Sequence, residues 1–265
     1  MKNRRINRKY NISFIVGLIM VGLVVSMVMI ALVYTPYDPN QMSGMSKNMA
    51  PGFLHPFGTD NFGRDILSRV MEGSVTTFLI ALATVAIGTA GGLLIGAITG
   101  YFGGWIDELL MRINDGIASF PSILLALIMV SIVGTGKYNI ILALGIVFIP
   151  SFARVVRSEY VTQKQLDYVK HAKVMGASHV RIMFVHILPN TYSILLSSIV
   201  IGFNNAVLAE SGMSYLGLGV QPPDASLGRM LAEAQTYLFN APWYALAPGI
   251  MIIVTVLGFS LISDK

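Results

Sequence analysis

The chain has 265 residues, of which 54% are hydrophobic and 12% charged; its net charge is +5 and it has no cysteine. Soluble domains carry roughly 25% charged residues. There is too little charge here to coat even one water-soluble domain of this size, so the composition points to a lipid solvent. The missing thiols exclude disulfide, iron–sulfur and thiolate-metal chemistry.

A membrane helix needs about 20 mostly apolar residues. Six runs lack charge: Asn11 to Tyr37, Gly73 to Ile106, Gly116 to Gly136, Tyr138 to Ala153, Ile187 to Ala209 and Ala234 to Ser263. The first follows Lys2, Arg4, Arg5, Arg8 and Lys9, as a signal peptide would. It is longer than an apolar signal core of about 7–15 residues, and no small-x-small cleavage site follows it, which predicts an uncleaved first span. The fourth run is short, so its helix is expected to continue past Arg154, whose side chain would snorkel. The second and sixth are longer than one span and must include interfacial chain. The expected fold is therefore an all-α polytopic membrane protein with six transmembrane helices. Its divisions are a basic tail over residues 1–10, a first transmembrane helix over 11–36, an external segment over 37–72 and a five-helix core over 73–265.

Six spans place both termini on one side. Basic residues mark the cytoplasmic side. With the N-terminus inside, the inner segments hold the five N-terminal basic residues, Arg112, Lys265 and the basic residues from Arg154 to Arg181. Only Lys47, Arg64, Arg69, Lys137 and Arg229 remain outside. The positive charge thus reports topology. No basic patch interleaved with aromatics points to nucleic acid.

In the second run Gly88, Gly92, Gly96 and Gly100 recur every four residues. Such a stripe lets another backbone approach closely, as helices do in lipid. The sequence does not say whether that backbone belongs to this chain or to another subunit. Pro121, Pro150 and Pro189 sit near span ends, where proline sets kinks or starts. Asn114 and Asp115 fall at the inner mouth of the third span, with Arg112 three residues before Asp115 as its expected ion-pair partner.

Outside, Asp60, Arg64, Asp65 and Arg69 are spaced to form an ion-pair cluster that orders the loop before the second span. A gating contact or a contact with an external protein is the other reading. Glu210 ends the fifth span, either facing a pathway or anchoring at the interface. The loop after it, with Gly212, Gly217, Gly219, Pro222 and Pro223, is expected to fold on the outer surface.

Inside, residues 154–186 are too long for a plain connector. Leu166, Val169 and Ala172 recur at helical spacing, with Asp167, Lys170, His171 and Lys173 off that stripe. Asp167 can pair with Lys170 or His171, and Gly176 supplies a helix stop. A second piece, capped by Ser178, carries Val180, Met183, Phe184 and Ile187 on one face up to Pro189. Two short amphipathic helices suit either docking of a partner or a seat on anionic lipid.

The stretch Tyr168 to Asn190, YVKHAKVMGASHVRIMFVHILPN, resembles the EAA loop of binding-protein-dependent ABC importer permeases. Ala172, Gly176, Leu188 and Pro189 fall at the family spacing, while Lys170 replaces the usual glutamate and His171 the first alanine. Four further stretches fit the dipeptide, oligopeptide and nickel branch in the correct order. They are FGTDNFGRDILSR (Phe57 to Arg69), RINDGIASFP (Arg112 to Pro121), FARVVRSE (Phe152 to Glu159) and ESGMSYLGLGVQPP (Glu210 to Pro223). The resemblance implies a coupling loop at 159–189, with Asp167, Tyr168, Val169, Lys170, His171, Ala172, Gly176 and Ala177 as the residues that meet an ATPase. It also implies a sister permease in a heterodimer, cytoplasmic ABC ATPase subunits and an external substrate-binding protein. The family continues past the sixth span into a short polar tail; this sequence stops at Asp264-Lys265.

No catalytic, cofactor-binding or metal-binding residue is assigned. Gly134-Thr135-Gly136-Lys137 lacks the Walker A spacing, and Tyr138 stands where Ser or Thr should hold magnesium. His55, His171, His179 and His186 all lie outside the spans, which leaves an intramembrane hydrolase without a base. A secondary transporter would show internal repeats and ionisable residues at midplane; neither is evident. The 15 methionines do not cluster as ligands and read as packing. Peptides are the expected cargo, with nickel, metal chelates or glutathione as alternatives.

Overall fold

A computed structural model describes residues 12–263. The basic tail of residues 1–10, the first residue of the 11–36 span and Lys265 lie outside the described residues. Inner and outer ends are named below by the positive-inside reading of the charges.

Among the described residues, five helices are long and apolar enough to cross a membrane: α1 (Ile12–Ala31), α2 (Ile66–Phe102), α5 (Lys137–Gln163), α8 (Tyr192–Tyr215) with the short turns before it, and α10 (Pro242–Ser263). The third expected span is a broken pair. α3 (Gly104–Ala118) and α4 (Ser122–Val133) meet at 85° around Pro121. Proline forces its predecessor, Phe120, out of helical geometry and has no N–H for the ladder. The 12 residues of α4 rise only about 18 Å, short of a roughly 30 Å hydrocarbon core. α3 is amphipathic, with Leu109 and Ile113 exposed on one side.

The centre of the fold is the pair α2 and α5, packed along their length by the glycine stripe. A Cβ built on Gly96 would lie 2.6 Å from the Ala153 carbonyl and 2.7 Å from Val156 Cβ; one on Gly100 would lie 2.6 Å from Tyr160 Cβ. Gly88 and Gly92 face Phe148 and Phe152 in the same way. The partner backbone left open by the sequence is therefore this chain's own α5. α8 packs on both helices through Phe152, Phe203, Ala206 and Val207. α1 is peripheral and lies on α10, where Gly17 meets Leu261 and Gly258 meets Met20. Its outward residues Leu18, Ile19 and Leu23 are more than half exposed, as a lipid-facing helix requires.

The two arginines of α5 are paired by α3. Arg157 forms a two-pronged ion pair with Asp107, at 2.6 and 2.7 Å. Arg154 reaches Asp115 at 2.9 Å. The Arg154 side chain remains half exposed while it pairs. One expectation is corrected: Arg112 bonds Glu108 at 3.3 Å instead of Asp115. Asn114 is buried and donates to the Pro150 carbonyl at 3.3 Å. Asp107 and Asp115 thus hold, across the helix junction, the two arginines that α5 carries toward its inner end.

The seam makes a direct prediction. Gly96→Ala should destabilise the purified chain by about 1–3 kcal/mol through overpacking. Gly22→Ala, on α1 with open space around it, should shift stability by less than about 0.5 kcal/mol. Thermal unfolding in detergent compares the two.

Candidate functional site

At the inner end, α5 closes at Gln163 and the chain turns into α6 (Asp167–Val174). Gly176 then takes φ +77°, a left-handed turn that favours glycine. Ser178 caps the three-residue turn α7 (His179–Arg181), accepting from Arg181 N at 3.3 Å. The helix widens to a π turn over Ile182–Ile187 and tightens to 3-10 over Leu188–Thr191 before α8 starts. The wide turn falls where Pro189, lacking an N–H, cannot close the regular ladder. Pro189 thus leads into the fifth span without a break.

This loop is built on a fixed floor. Val169, Ile182, Met183 and Ile187 are buried together with Tyr160 and Tyr101. Tyr160 Oη donates to the Met183 carbonyl at 3.0 Å. The Tyr101 hydroxyl, at the inner end of α2, lies 2.8 Å from His179 Nδ1, and Lys173 sits over the Tyr101 ring. Tyr168 bonds Gln163 at 2.9 Å, and burial raises its pKa above the ordinary tyrosine value.

The rest of the loop is turned outward. Asp167, Lys170, His171 and Gly176 are exposed, and Ala172 and Ala177 are half-buried. Lys170, at the position of the family glutamate, pairs with Asp167 at 3.0 Å. At the tip Val174 and Met175 are 85% and 86% exposed. Val180, expected on the apolar face, is exposed instead, and Ile182 takes the buried place. Met183 and Ile187 are buried as expected, and Ile182 joins Ile187 on that face five residues away, the spacing of the π turn between them.

A second cluster stands at the outer end. Asp60 Oδ1 accepts from the backbone N–H groups of Phe62 and Arg64, and its Oδ2 takes Arg64 Nε at 2.6 Å. Arg69, fully buried, lies 3.9 Å from Asp60 and 3.7 Å from Glu233, and donates to the Pro39 carbonyl and Asn40. Asp65 stands apart as the N-cap of α2. It accepts from Ser68 N and Ser68 Oγ and lies 2.8 Å from His55. The sequence missed the acid at the centre, Glu233 on α9 (Leu227–Ala234). Glu233 receives Arg64 at 2.9 Å, Tyr244 at 2.8 Å and Arg229 at 3.1 Å. Its only local signal was the i, i+4 spacing from Arg229; the other partners come from distant segments.

Burial would raise the Glu233 pKa, but the Tyr244 hydroxyl and the charges of Arg69 and Arg64 bring it below the ordinary carboxylate value. Burial alone would lower the Arg64 pKa; Asp60 and Glu233 carry it above its usual range instead. Glu210 is fully buried and has a different environment. It accepts from Ser214 at 2.7 Å and Ser211 at 3.4 Å, with hydroxyls of Thr77 and Ser226 also bonding it. Thr77 in turn accepts from Leu227 N. Glu210 thereby ties α8 to α2 and to the start of α9.

The third feature is a cavity of about 540 Å³ between α4, α5 and α8. Its wall is mostly apolar, with Ser122, Ser151, Ser198 and Asn205 as its polar side chains.

Helices that bury few of their apolar residues, a broken third span and an inner amphipathic loop held on two spans define a polytopic membrane transport subunit. Residues 92–264 match the family described as Binding-protein-dependent transport system inner membrane component. Over 256 residues the sequence is 36% identical to the dipeptide transport system permease protein DppC of Alkalihalophilus pseudofirmus, covering 97% of this chain and 84% of the relative. It is 38% identical to the glutathione transport system permease protein GsiD of Pectobacterium atrosepticum, covering 86% and 76%. In fold it is similar to a chain of the MetNI methionine ABC transporter, with a TM-score of 0.62 at 19% identity, covering 75% of this chain and 94% of that one. The chain belongs to the binding-protein-dependent inner-membrane component family.

The outer cluster predicts a pH dependence. Folding lowers the Glu233 pKa, so near the ordinary glutamate value of about 4.3 the unfolded chain binds more protons than the folded one. The stabilisation is complete above that value and is lost as pH falls through the lower folded pKa. Protection of the amides from Asp60 to Ile66, measured against the intrinsic exchange rate at each pH, should therefore fall on acidification below about pH 4. In Glu233→Gln that protection should be low already at neutral pH and depend less on pH.

Proposed function

We propose that the chain is one of two permeases in an ATP-driven, binding-protein-dependent importer of peptides, with no catalytic chemistry of its own. In this reading the loop 159–189 seats a cytoplasmic ABC ATPase. A sister permease completes the pathway, and a soluble protein delivers cargo outside.

The observation that carries the reading is the loop's two-sided construction. Val169, Ile182 and Ile187 fix it to α5 and α8, while among the described residues Val174 and Met175 are almost fully exposed. Two apolar side chains on a rigid platform suit insertion into a groove on another protein. A seat on anionic lipid, which the exposed Lys173 and Arg181 would also suit, is the alternative that the test below separates. The family membership and the dipeptide permease relative support peptides as cargo. The glutathione permease relative supports a second reading within the same chemistry, since glutathione is itself a peptide.

The test uses Val174→Asp with Met175→Asp in the complete complex. Both side chains are free in this chain, so the fold should persist. The expected result is loss of copurifying ATPase subunits, or at least a tenfold fall (about 1.4 kcal/mol) in binding-protein-stimulated ATP hydrolysis and dipeptide uptake. Full stimulation and uptake would mean that the loop does not couple.

A further inference from the structure

The cavity between α4, α5 and α8 has a composition that lipid contact does not explain. On α8, Ser198, Ile201, Asn205 and Leu208 line it; their spacing of three, four and three residues puts them on one face. On α5, Val147, Ser151 and Val155 line it at intervals of four. Asn205 lies near the midpoint of a 24-residue span and is exposed in this chain. An amide facing hydrocarbon without a partner is costly, so this face meets water, cargo or protein in the assembled complex.

Two facts favour cargo. The volume of about 540 Å³ falls within the roughly 300–1,000 Å³ of small-molecule sites, and an apolar wall with a few placed polar groups is their usual composition. The two long helices of the wall, α5 and α8, are also the two that flank the inner loop. A displacement of that loop that moves one helix relative to the other would alter the separation of this wall's two sides.

The chemistry narrows the cargo. No charged side chain lines the cavity. A divalent cation would need carboxylate or several other oxygen ligands in place of its water. A peptide brings amide donors and acceptors that hydroxyls and a carboxamide can satisfy in either sense. We infer that this cavity is the chain's own wall of the cargo path. We further infer that Ser151, Ser198 and Asn205 exchange hydrogen bonds with the amides of a passing peptide. The inference rests on the importer reading above and names the residues and substrate chemistry of its path.

The absence of native cysteine makes a test independent of cargo possible. Ser151→Cys and Asn205→Cys are introduced singly, and the full complex is reconstituted in liposomes and treated with a charged, water-soluble methanethiosulfonate. Labelling of this chain is read by mass. Leu23→Cys, on the peripheral α1, is the lipid-facing reference. Both cavity cysteines should react about tenfold or more faster than Leu23→Cys, because a thiol ionises in water and not in hydrocarbon. Rates equal to the reference at both positions would overturn the path and make the cavity a seat for lipid or for the sister permease. Ser151→Cys, nearly isosteric, keeps the test valid if Asn205→Cys disturbs assembly.

Cargo chemistry is read separately with Asn205→Asp. Uptake of a lysine-containing dipeptide relative to a glutamate-containing one should rise by about tenfold, as a fixed charge at close range requires. An unchanged ratio would overturn the contact with cargo. Reactive cysteines in a complex that carries no peptide would support the path and overturn its peptide chemistry.

Discussion

The fold depends on how closely α2 and α5 approach. In lipid, apolar side chains gain little by leaving one hydrocarbon for another, so helices associate through packing and polar contacts. Four glycines in register remove the side chains that would hold the two backbones apart. Phe152, Ala153 and Val156 fill the space they leave. Every other helix is placed against this pair or against a helix that touches it. The long outer loop and the inner loop attach at its two ends.

Those attachments differ in kind. At the outer end the fixing is ionic: Asp60, Arg64, Arg69 and Glu233 draw the loop, α2 and α9 together, and Tyr244 brings in α10. At the inner end it is a mixed apolar and hydrogen-bonded floor, with Tyr101, Tyr160 and His179 under the loop. Buried ionic clusters are strongly directional and cost much to break. The inner floor leaves the outward face free, which is the arrangement a docking surface needs.

Much of this was legible in the sequence because lipid imposes simple rules. Charge-free runs of sufficient length located the long helices. The four-residue glycine repeat identified the seam, though not its partner. The Asp60 to Arg69 spacing marked an ion-pair cluster but could not supply Glu233, which arrives from a distant segment. Pro121 marked a kink or a start, but the run from Gly116 to Gly136 has the composition of one span, so the size of the break was hidden. Hydropathy does not register an 85° turn. Pairing of Arg154 and Arg157 with α3 was hidden for the same reason, since it exists only once α3 folds back across α5. The burial of Ile182 escaped because regular periodicity assumes a regular helix.

The location of Pro150 divides the molecule mechanically. α2 contains no proline, whereas α5 contains Pro150 near its middle, where the ladder lacks one bond and bending is cheapest. Below that point α5 is tied to α3 by three side chains: Asn114 at the proline's carbonyl, Asp115 at Arg154 and Asp107 at Arg157. The inner half of α5, α3 and the inner loop therefore behave as one block. The outer half of α5 packs instead on α4 and α8 through Ile140, Leu144 and Val147. The joint between the two blocks falls beside Ser151, at the wall of the cavity, so a bend there reshapes the cavity before it disturbs either end.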